Sequence, residues 1–386
     1  MRSGASEFGS ASGAGGESRP RGRRRFLALV AGGAAAAVTG GIVGSRIIRG
    51  GASEPSAVSP SAAGANRLTL PGSVVRVTHL RALDDSGRAD AAVALDMVDA
   101  AMARLAGKTE RAAAWSSLFT PDDVVAIKVN CLAAPAFSTH PQIVEAIIAG
   151  LRAAGVPDDN IIIYDRLTRE LERAGFKPNT GRGVRCFGSD ESGYDEEPSE
   201  AGTVGSCLSR IVSGLCTAII NVPLVKDHDV AGVSIALKNH FGSINNPNKQ
   251  HENQCCPQVA DVNLFEPIRS KQRLIIADAL TVTYDGGPAF KPKTSARCKS
   301  ILAATDPVAL DAVGHDIIEG LRQHAGLPTL AAEGRDPKYI AIAGDDDHKL
   351  GIADLSRIRR VDDALSAHSG AAPRAANVDF GKGRRA

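Results

Sequence analysis

Short apolar runs rich in β-branched residues alternate with longer segments rich in alanine and leucine over most of the chain. The apolar runs predict strands at 74–77, 124–129, 161–164, 218–222, 274–277 and 299–304. The longer segments predict helices at 89–106, 141–154, 207–215 and 307–321. Strands that are apolar throughout are covered on both faces, and their alternation with helices is typical of βαβ units. The sequence therefore predicts an α/β domain whose mostly parallel sheet carries helices on both faces, in one lobe or two.

Polar residues follow several of these strands directly, and such sheets bind their ligands at the carboxyl ends of the strands. Lys128 lies near the end of the strand at 124–129, and Asn130 and Cys131 come directly after it. His140 comes within ten residues, beside a predicted helix start, where structural and functional roles are equally open. This segment is the first candidate for a site.

A denser polar group follows the strand at 218–222 and is set among Val, Ile, Leu and Gly. It comprises Lys226, His228, Lys238, Asn239 and His240. Lysines and histidines flanked by apolar residues suit an anionic oxygen ligand or a metal-bound ligand. Alternatively, the two lysines form ordinary ion pairs with acids such as Asp227 and Asp278. The density of polar groups favours a ligand site.

Three histidines and one cysteine are the candidate metal ligands, namely His228, His240, His251 and Cys131. Imidazole and thiolate groups bind divalent metals. Their spacing matches no standard motif, and the seven cysteines include no CxxC pair of the kind that holds zinc ribbons or ferredoxin clusters. A divalent metal is therefore preferred to an iron–sulfur cluster, while the cofactor itself stays open.

The strand at 274–277 is followed by Asp278 and then by a Gly286-Gly287-Pro288 turn. Asp278 is a candidate catalytic carboxylate, and the two glycines are candidates for close backbone approach to a cofactor. An ordinary loop turn is the alternative. The sequence contains no GxSxG, GxxxxGK[ST], HExxH or strand-placed GxGxxG pattern, which disfavours standard serine hydrolases, P-loop proteins and zincins.

The amino-terminal region predicts export. The twin-arginine pattern RRRFL at 23–27 precedes an apolar run at 28–43. A membrane anchor is the alternative, although glycines interrupt the run. We divide the chain into a signal region (1–47), a Ser/Pro/Ala-rich linker (48–67), an α/β domain (68–365) and a basic, disordered tail (366–386). The twin-arginine translocase is then a partner, and the mature protein is periplasmic, extracellular or attached to the cell envelope.

Between about Val74 and Leu321 the motifs resemble the bacterial and archaeal family called domain of unknown function 362. The matching positions are Lys128, Asn130, Cys131, Thr139, His140, Pro141, Asn221, Pro223, Lys226, His228, Gly232, Ser234, Leu237, Lys238, Asn239, Gly242, His251, Asp278, Gly286, Gly287, Pro288, Asp306, Pro307, Val308, Ala309 and Asp311. Because the family is named for its unknown function, the resemblance implies no particular reaction. Some members resemble iron–sulfur proteins through an added ferredoxin-like segment, which this sequence lacks. Twin-arginine signals are frequent in the family.

The leading hypothesis is an exported enzyme that acts on a small anionic or hydroxylated substrate, with or without a metal. The candidate catalytic residues, expected to line one cavity at the carboxyl edge of the sheet, are Lys128, Asn130, Lys226, His228, Lys238, Asn239, His240 and Asp278. The lysines would stabilise negative charge and His228 or His240 would transfer protons. Two alternatives stay open: a non-catalytic exported protein that binds an anion or a metal, and an electron-transfer protein with a cysteine-ligated cluster. The formal net charge is only +2, with much of the basic excess in the two tails, so no nucleic-acid partner is predicted.

Overall fold

A computed structural model describes residues 67–366 of the 386-residue chain. The predicted signal region 1–47 lies outside these residues, as do the linker 48–67 apart from Arg67 and the tail 366–386 apart from Ser366. The division of the chain into these segments therefore stays a prediction. In the described part of the chain, no helix combines the length and the apolar character that crossing a bilayer requires.

Thirteen strands and ten α-helices make up the described region, with several shorter helical turns. The strands are β1 (Ser73–His79), β2 (Val125–Lys128), β3 (Ile161–Tyr164), β4 (Arg185–Cys186), β5 (Ser199–Ala201), β6 (Val204–Ser206), β7 (Ala218–Asn221), β8 (Leu224–His228), β9 (Gly232–Ser234), β10 (Gln272–Thr283), β11 (Ser295–Ala296), β12 (Ser300–Ala304) and β13 (Arg359–Leu365). The α-helices are α1 (Ala91–Ala106), α2 (Arg111–Trp115), α3 (Pro141–Ala153), α4 (Thr168–Arg173), α5 (Ser189–Ser192), α6 (Ala236–Asn239), α7 (Gln258–Val262), α8 (Glu266–Lys271), α9 (Pro307–His324) and α10 (Tyr339–Ala343). A π-helix lies at Ile211–Leu215, and 3-10 turns lie at Asp158–Asn160, His240–Ser243, Pro247–Cys255, Pro292–Thr294 and Leu355–Arg357.

One mixed sheet organises the described residues, and most of its strand pairs are parallel. Its main path runs β13-β1-β12-β10-β7-β2-β3-β4. β10 also pairs with β8 in parallel and with β11 antiparallel, and β9 pairs with β8. Because the pairs from β10 through β7, β2 and β3 to β4 are all parallel, the carboxyl ends of these strands lie at one edge. The predicted α/β class is confirmed.

Side chains alternate between the two faces of the sheet, as the two-residue period of a strand requires. In β3, Ile161 and Ile163 pack into one apolar core, whereas Ile162 and Tyr164 pack into another. The first core includes apolar residues of α1 and α3, and the second includes those of α9. The apolar runs of the sequence thus become strands that are buried on both sides.

The long helices begin and end at residues that favour those positions. Asp90 caps α1 by accepting a hydrogen bond from the amide of Val93 at 3.0 Å, and Gly107 ends the helix with a φ of 63°. Asp306 caps α9 by accepting from the amide of Ala309 at 2.9 Å. These local signals explain why the predicted helices at 89–106 and 307–321 agree closely with α1 and α9.

The predicted helix at 207–215 is wrong over its first half. Leu208 forms an isolated β-bridge with Ile244, and only Ile211–Leu215 is a regular helical turn, of the π type. Partners that are distant in sequence here override the local helical pattern.

A buried ion pair joins the segment before β2 to β10. Arg273 donates to both carboxylate oxygens of Asp123 at 2.6 and 2.7 Å, and the two side chains are only 4% and 7% exposed. Burial raises the pKa of Asp123, but hydrogen bonds from Arg273 and from the amide of Thr120 outweigh it and lower the pKa to about 2. Removing one partner of such a pair destabilises a fold, because the other charge stays buried.

We expect the free energy of unfolding to decrease as the pH falls from about 5 to about 2. The pKa of Asp123 is lower in the folded protein than the ordinary 3.8, so protonation favours the unfolded state and about 2 kcal/mol is lost in this window. Asp123→Asn should be less stable than wild type at neutral pH and should lack most of this pH-dependent loss. Urea denaturation at several pH values measures both effects.

Asp158→Asn is the matched control, because Asp158 pairs with Arg152 on the surface, where ion pairs contribute little. Equal losses of stability in the two variants at neutral pH would contradict the prediction.

Candidate active site

A cavity of about 140 Å³ opens at the carboxyl edge of the parallel strands. Six of the eight candidate catalytic residues line it: Lys128, Asn130, Lys226, His228, Lys238 and Asn239. Its other lining residues include Asp165, Arg166, Glu170, Ser234, Phe241, Gly242, Pro247 and His251. The sheet therefore gathers polar side chains that are distant in sequence.

Lys128 at the end of β2 forms a buried ion pair with Asp165, which follows β3. Its Nζ donates to Asp165 Oδ1 at 2.7 Å and to the carbonyl oxygen of Val129 at 2.6 Å. The amide of Cys131 donates to Asp165 Oδ2 at 2.6 Å. A Cβ at Gly242 would lie 2.7 Å from Lys128 Nζ and 2.8 Å from Asp165 Oδ1, so a larger residue there would have to displace the pair. Asp165 therefore balances the charge of Lys128, and the pair is closely packed at one side of the cavity.

Three asparagines form a chain of amide hydrogen bonds that positions a second lysine. Asn130 Nδ2 donates to Asn239 Oδ1 at 2.9 Å, and Asn239 Nδ2 donates to Asn221 Oδ1 at 2.8 Å. Asn130 Oδ1 then accepts from Lys226 Nζ at 2.8 Å. Burial, followed by the charge of Lys238, lowers the pKa of Lys226 to about 8. Among residues 67–366, Lys226 has no carboxylate partner.

The third lysine, Lys238 on α6, bonds to a histidine. Its Nζ donates to His251 Nε2 at 3.1 Å and lies 4.3 Å from the centre of the Phe241 ring. His251 Nδ1 lies 3.0 Å from the carbonyl oxygen of Pro247, which can only accept, so Nδ1 carries the ring proton. Burial lowers the pKa of Lys238 to about 8, and burial together with Lys238 lowers that of His251.

His228 presents the opposite tautomer. Its Nδ1 lies 3.2 Å from the amides of Val230 and Ala231, which can only donate, so the ring proton is on Nε2. Asp229 lies 3.1 Å from the same nitrogen, but its carboxylate is mostly exposed to solvent. Burial and the charge of Lys238 lower the pKa of His228 to about 2. His228 therefore stays neutral and offers an N–H donor at the cavity.

The segment that carries His251 has an unusual backbone. Asn253, Gln254 and Cys255 have φ angles of 47°, 59° and 61°, in the left-handed region that is costly for residues other than glycine. The side chain of Asn253 donates to the carbonyl oxygen of Cys256 at 2.8 Å. Surrounding contacts therefore impose the shape that holds His251 beside its lysine.

Sequence analysis did not select Asp165, Asn221 or Asp311 as site residues, yet all three are buried and hold the site in place. Asp311 on α9 accepts from the amides of Ala236 and Leu237 at 2.7 and 3.3 Å, and so caps α6. Asp165 follows an apolar strand and Asn221 ends one. A polar residue at the end of an apolar strand is the same sequence pattern from which the lysines were predicted as site residues. That signal could have found these two residues, whereas the partner of Asp311 depends on tertiary structure.

Two candidate catalytic residues lie outside the lining of the cavity. His240 Nε2 lies 2.8 Å from Gln272 Oε1 and its Nδ1 lies 3.2 Å from Ser243 Oγ, so both ring nitrogens bond to the protein. Asp278 Oδ2 accepts from the amide of His140 at 2.9 Å and lies 2.7 Å from its Nδ1. These contacts correct the expectation that all eight residues line one cavity.

At the Gly286-Gly287-Pro288 turn, the group that lies close to the backbone of Gly287 is Asp227 on β8. The amide of Gly287 donates to Asp227 Oδ2 at 2.8 Å, and a Cβ on Gly287 would lie 1.9 Å from the carbonyl oxygen of Asp227. Gly286 has a φ of 74°, which favours glycine in a turn. The space beside Gly287 is thus filled by β8, whereas Pro288 of the same turn lines the cavity, so the cofactor role of the two glycines stays a prediction.

The four candidate metal ligands do not converge on one point. The rings of His228 and His251 stack with centroids 5.5 Å apart, but both nitrogens of His240 bond to side chains and Cys131 lies in the apolar core that includes α1 and α3. Within the described part of the chain, no three or more His, Cys, Asp or Glu side chains are grouped to hold a metal ion. Burial raises the pKa of the Cys131 thiol well above its ordinary value. These four residues therefore do not fit a metal centre.

The fold and the site define an α/β protein with a cationic cavity at the carboxyl edge of its sheet. The family model described as Domain of unknown function (DUF362) matches residues 125–316, a span that runs from β2 into α9 and includes the three lysines of the cavity. The chain belongs to this family, which confirms the resemblance of its motifs. Searches of curated proteins and of solved structures returned no match.

We expect His228 and His251 to hold opposite tautomers in solution. Long-range ¹H–¹⁵N correlation spectra should place the ring proton of His228 on Nε2 and that of His251 on Nδ1, because backbone groups occupy the Nδ1 atom of each ring. His228 should not titrate between about pH 7 and pH 4, since burial lowers its pKa to about 2. His228→Gln and His251→Gln variants assign the signals. A His228 midpoint above about pH 5 would disprove the neutral donor.

Proposed function

We propose that the cavity is the active site of an enzyme that acts on a small anionic or hydroxylated substrate by electrostatic and acid–base catalysis. One observation carries the proposal: two buried lysines, Lys226 and Lys238, share a cavity with the N–H donor of His228 and bond only to neutral acceptors. Buried charges without counter-charges are costly, and such groups concentrate at functional sites.

Lys226 and His228 are suited to stabilise negative charge on the substrate. Lys226 Nζ uses one donor on Asn130 Oδ1 and retains two N–H groups. His228 adds an Nε2–H donor that it does not lose at neutral pH. In a buried cavity, donors already oriented toward a developing charge stabilise it far more than water does.

Lys238 is suited to transfer protons. A pKa of about 8 leaves roughly one amine in ten neutral at pH 7, so the group can act as acid or base. His251 Nε2 holds the ammonium in place, which makes His251 a positioning residue. His240, whose nitrogens bond to Gln272 and Ser243, has no part in this step.

We also propose that the protein is exported by the twin-arginine translocase and is then periplasmic, extracellular or attached to the cell envelope. The support is the RRRFL pattern at 23–27 with its apolar run at 28–43, both outside the described residues. A small-molecule substrate is the other proposed partner.

We expect wild-type protein in D₂O to exchange a carbon-bound proton of a small hydroxy or carboxylic acid, or to convert that acid. Lys238→Met should lower this rate about 100-fold or more, because it removes the proton-transfer group. Its melting temperature should be unchanged or raised, since a buried ammonium is removed. One-dimensional ¹H NMR of a panel of small acids and alcohols, with thermal melts, measures both.

Two control variants separate chemistry from packing. Lys177→Met removes an exposed lysine and should leave rate and stability unchanged. His240→Ala should destabilise the protein by about 1–3 kcal/mol, because the polar partners of the ring stay buried. Binding of panel members with neither exchange nor conversion would indicate a binding protein instead of an enzyme.

Replacing both Arg23 and Arg24 by lysine should keep the protein in the cytoplasm in uncleaved form, because the translocase requires the arginine pair. Cell fractionation and immunoblotting of wild type and variant measure the outcome. Arg374→Lys, in the basic tail, is the matched control and should be exported normally. Export of the double variant in folded form would contradict the proposed route.

A further inference from the structure

The charged side chains that face the cavity leave a net positive charge. Two pairs of opposite charge cancel, namely Lys128 with Asp165 at 2.7 Å and Arg166 with Glu170 at 3.7 Å. Lys226 and Lys238 remain, and neither has a carboxylate within ion-pair distance in the described range 67–366. Asp229 acts on Lys238 from outside the lining, but its side chain is 65% exposed. The positive charges of Lys226 and Lys238 are therefore not balanced by a carboxylate of the cavity.

Apart from the carboxylate of Glu170, which pairs with Arg166 at 3.7 Å, the hydrogen-bonding capacity left in the cavity consists mainly of donors. Lys226 and Lys238 each spend one N–H on a neutral acceptor and retain two, and His228 adds its Nε2–H. The acceptors that already bond to the protein are Asn130 Oδ1, Asn239 Oδ1, both carboxylate oxygens of Asp165 and His251 Nε2. A ligand that satisfies these donors must be rich in acceptor oxygens.

The size of the cavity limits the ligand. Its volume of about 140 Å³ is close to that of engineered protein cavities of about 150 Å³ that hold one benzene molecule. The part of a ligand that it encloses therefore has roughly six non-hydrogen atoms. Two charges within that part must lie close together, and both lysines line the same cavity.

We propose that the substrate of this cavity is a small dianion whose oxygen atoms pair with Lys226 and Lys238. The inference rests on the proposed function, because it takes the cavity as the substrate site. Small dicarboxylates and tetrahedral oxyanions such as sulfate or phosphate groups share this chemistry.

Isothermal titration calorimetry at pH 7 tests the inference with four probes. Malonate and sulfate are dianions, acetate is a monoanion and glycerol is neutral. Wild-type protein should bind at least one dianion about tenfold or more tightly than acetate, because a second charge-assisted hydrogen bond contributes. Glycerol should not bind measurably. Malonate binding alone supports a dicarboxylate substrate, and sulfate binding alone supports a tetrahedral oxyanion.

Lys226→Met and Lys238→Met should each reduce the affinity for the dianion about tenfold or more and change that for acetate much less. Two variants are used so that a folding defect in one does not decide the outcome, and thermal melts confirm that each is folded. Lys177→Met, on the surface, should bind like wild type.

The inference is overturned if no probe binds, if acetate or glycerol binds as tightly as the better dianion, or if Lys177→Met loses affinity as the site variants do. The two proposals fail separately. Tight dianion binding without turnover of any panel member leaves this inference in place and overturns the enzyme. Turnover of a neutral substrate, with no preference for dianions, does the reverse.

Discussion

The ion pair between Lys128 and Asp165 joins the ends of two neighbouring parallel strands, and the cavity is built beside it. The two side chains are 1% and 7% exposed, so each would leave a buried charge if the other were lost. The second carboxylate oxygen of Asp165 accepts from the amide of Cys131, which ties down the loop after β2. Gly242 packs against the pair with no room for a Cβ. The pair thereby fixes where β2, β3 and the turn after α6 meet.

The three lysines of the cavity are chemically identical and differ in the groups to which their Nζ atoms bond. Lys128 donates to a carboxylate, Lys226 to an amide oxygen and Lys238 to an imidazole nitrogen. A carboxylate cancels the charge, whereas neutral acceptors only orient it. Burial therefore lowers the pKa values of Lys226 and Lys238 to about 8 and leaves their charges for a ligand. The partner of each lysine, not the lysine itself, decides its chemistry.

The sheet could be predicted from the sequence because each buried strand has a local pattern. The runs at 161–164 and 218–222 match β3 and β7 to within a residue. Polar residues after such strands also predicted six residues that line the cavity, since parallel strands end at one edge. The direction of each side chain could not be predicted. His240 follows the same pattern as Lys238 but turns toward Gln272 on β10, and Asp278 turns toward His140. Those choices depend on which elements pack together, and that information is absent from the local sequence.

The polarity of the cavity has a further cause that no side-chain pattern records, namely the backbone around its two histidines. Amides after β8 occupy Nδ1 of His228 and make the ring a donor, whereas the carbonyl of Pro247 occupies Nδ1 of His251 and makes that ring an acceptor. Left-handed residues other than glycine cost about 1–3 kcal/mol each, and three follow His251 in close succession. The strained residues therefore belong to the same segment as His251, which is the acceptor for Lys238. The imidazole that this strained loop presents orients the Lys238 ammonium without cancelling its charge, which a carboxylate at the same place would do.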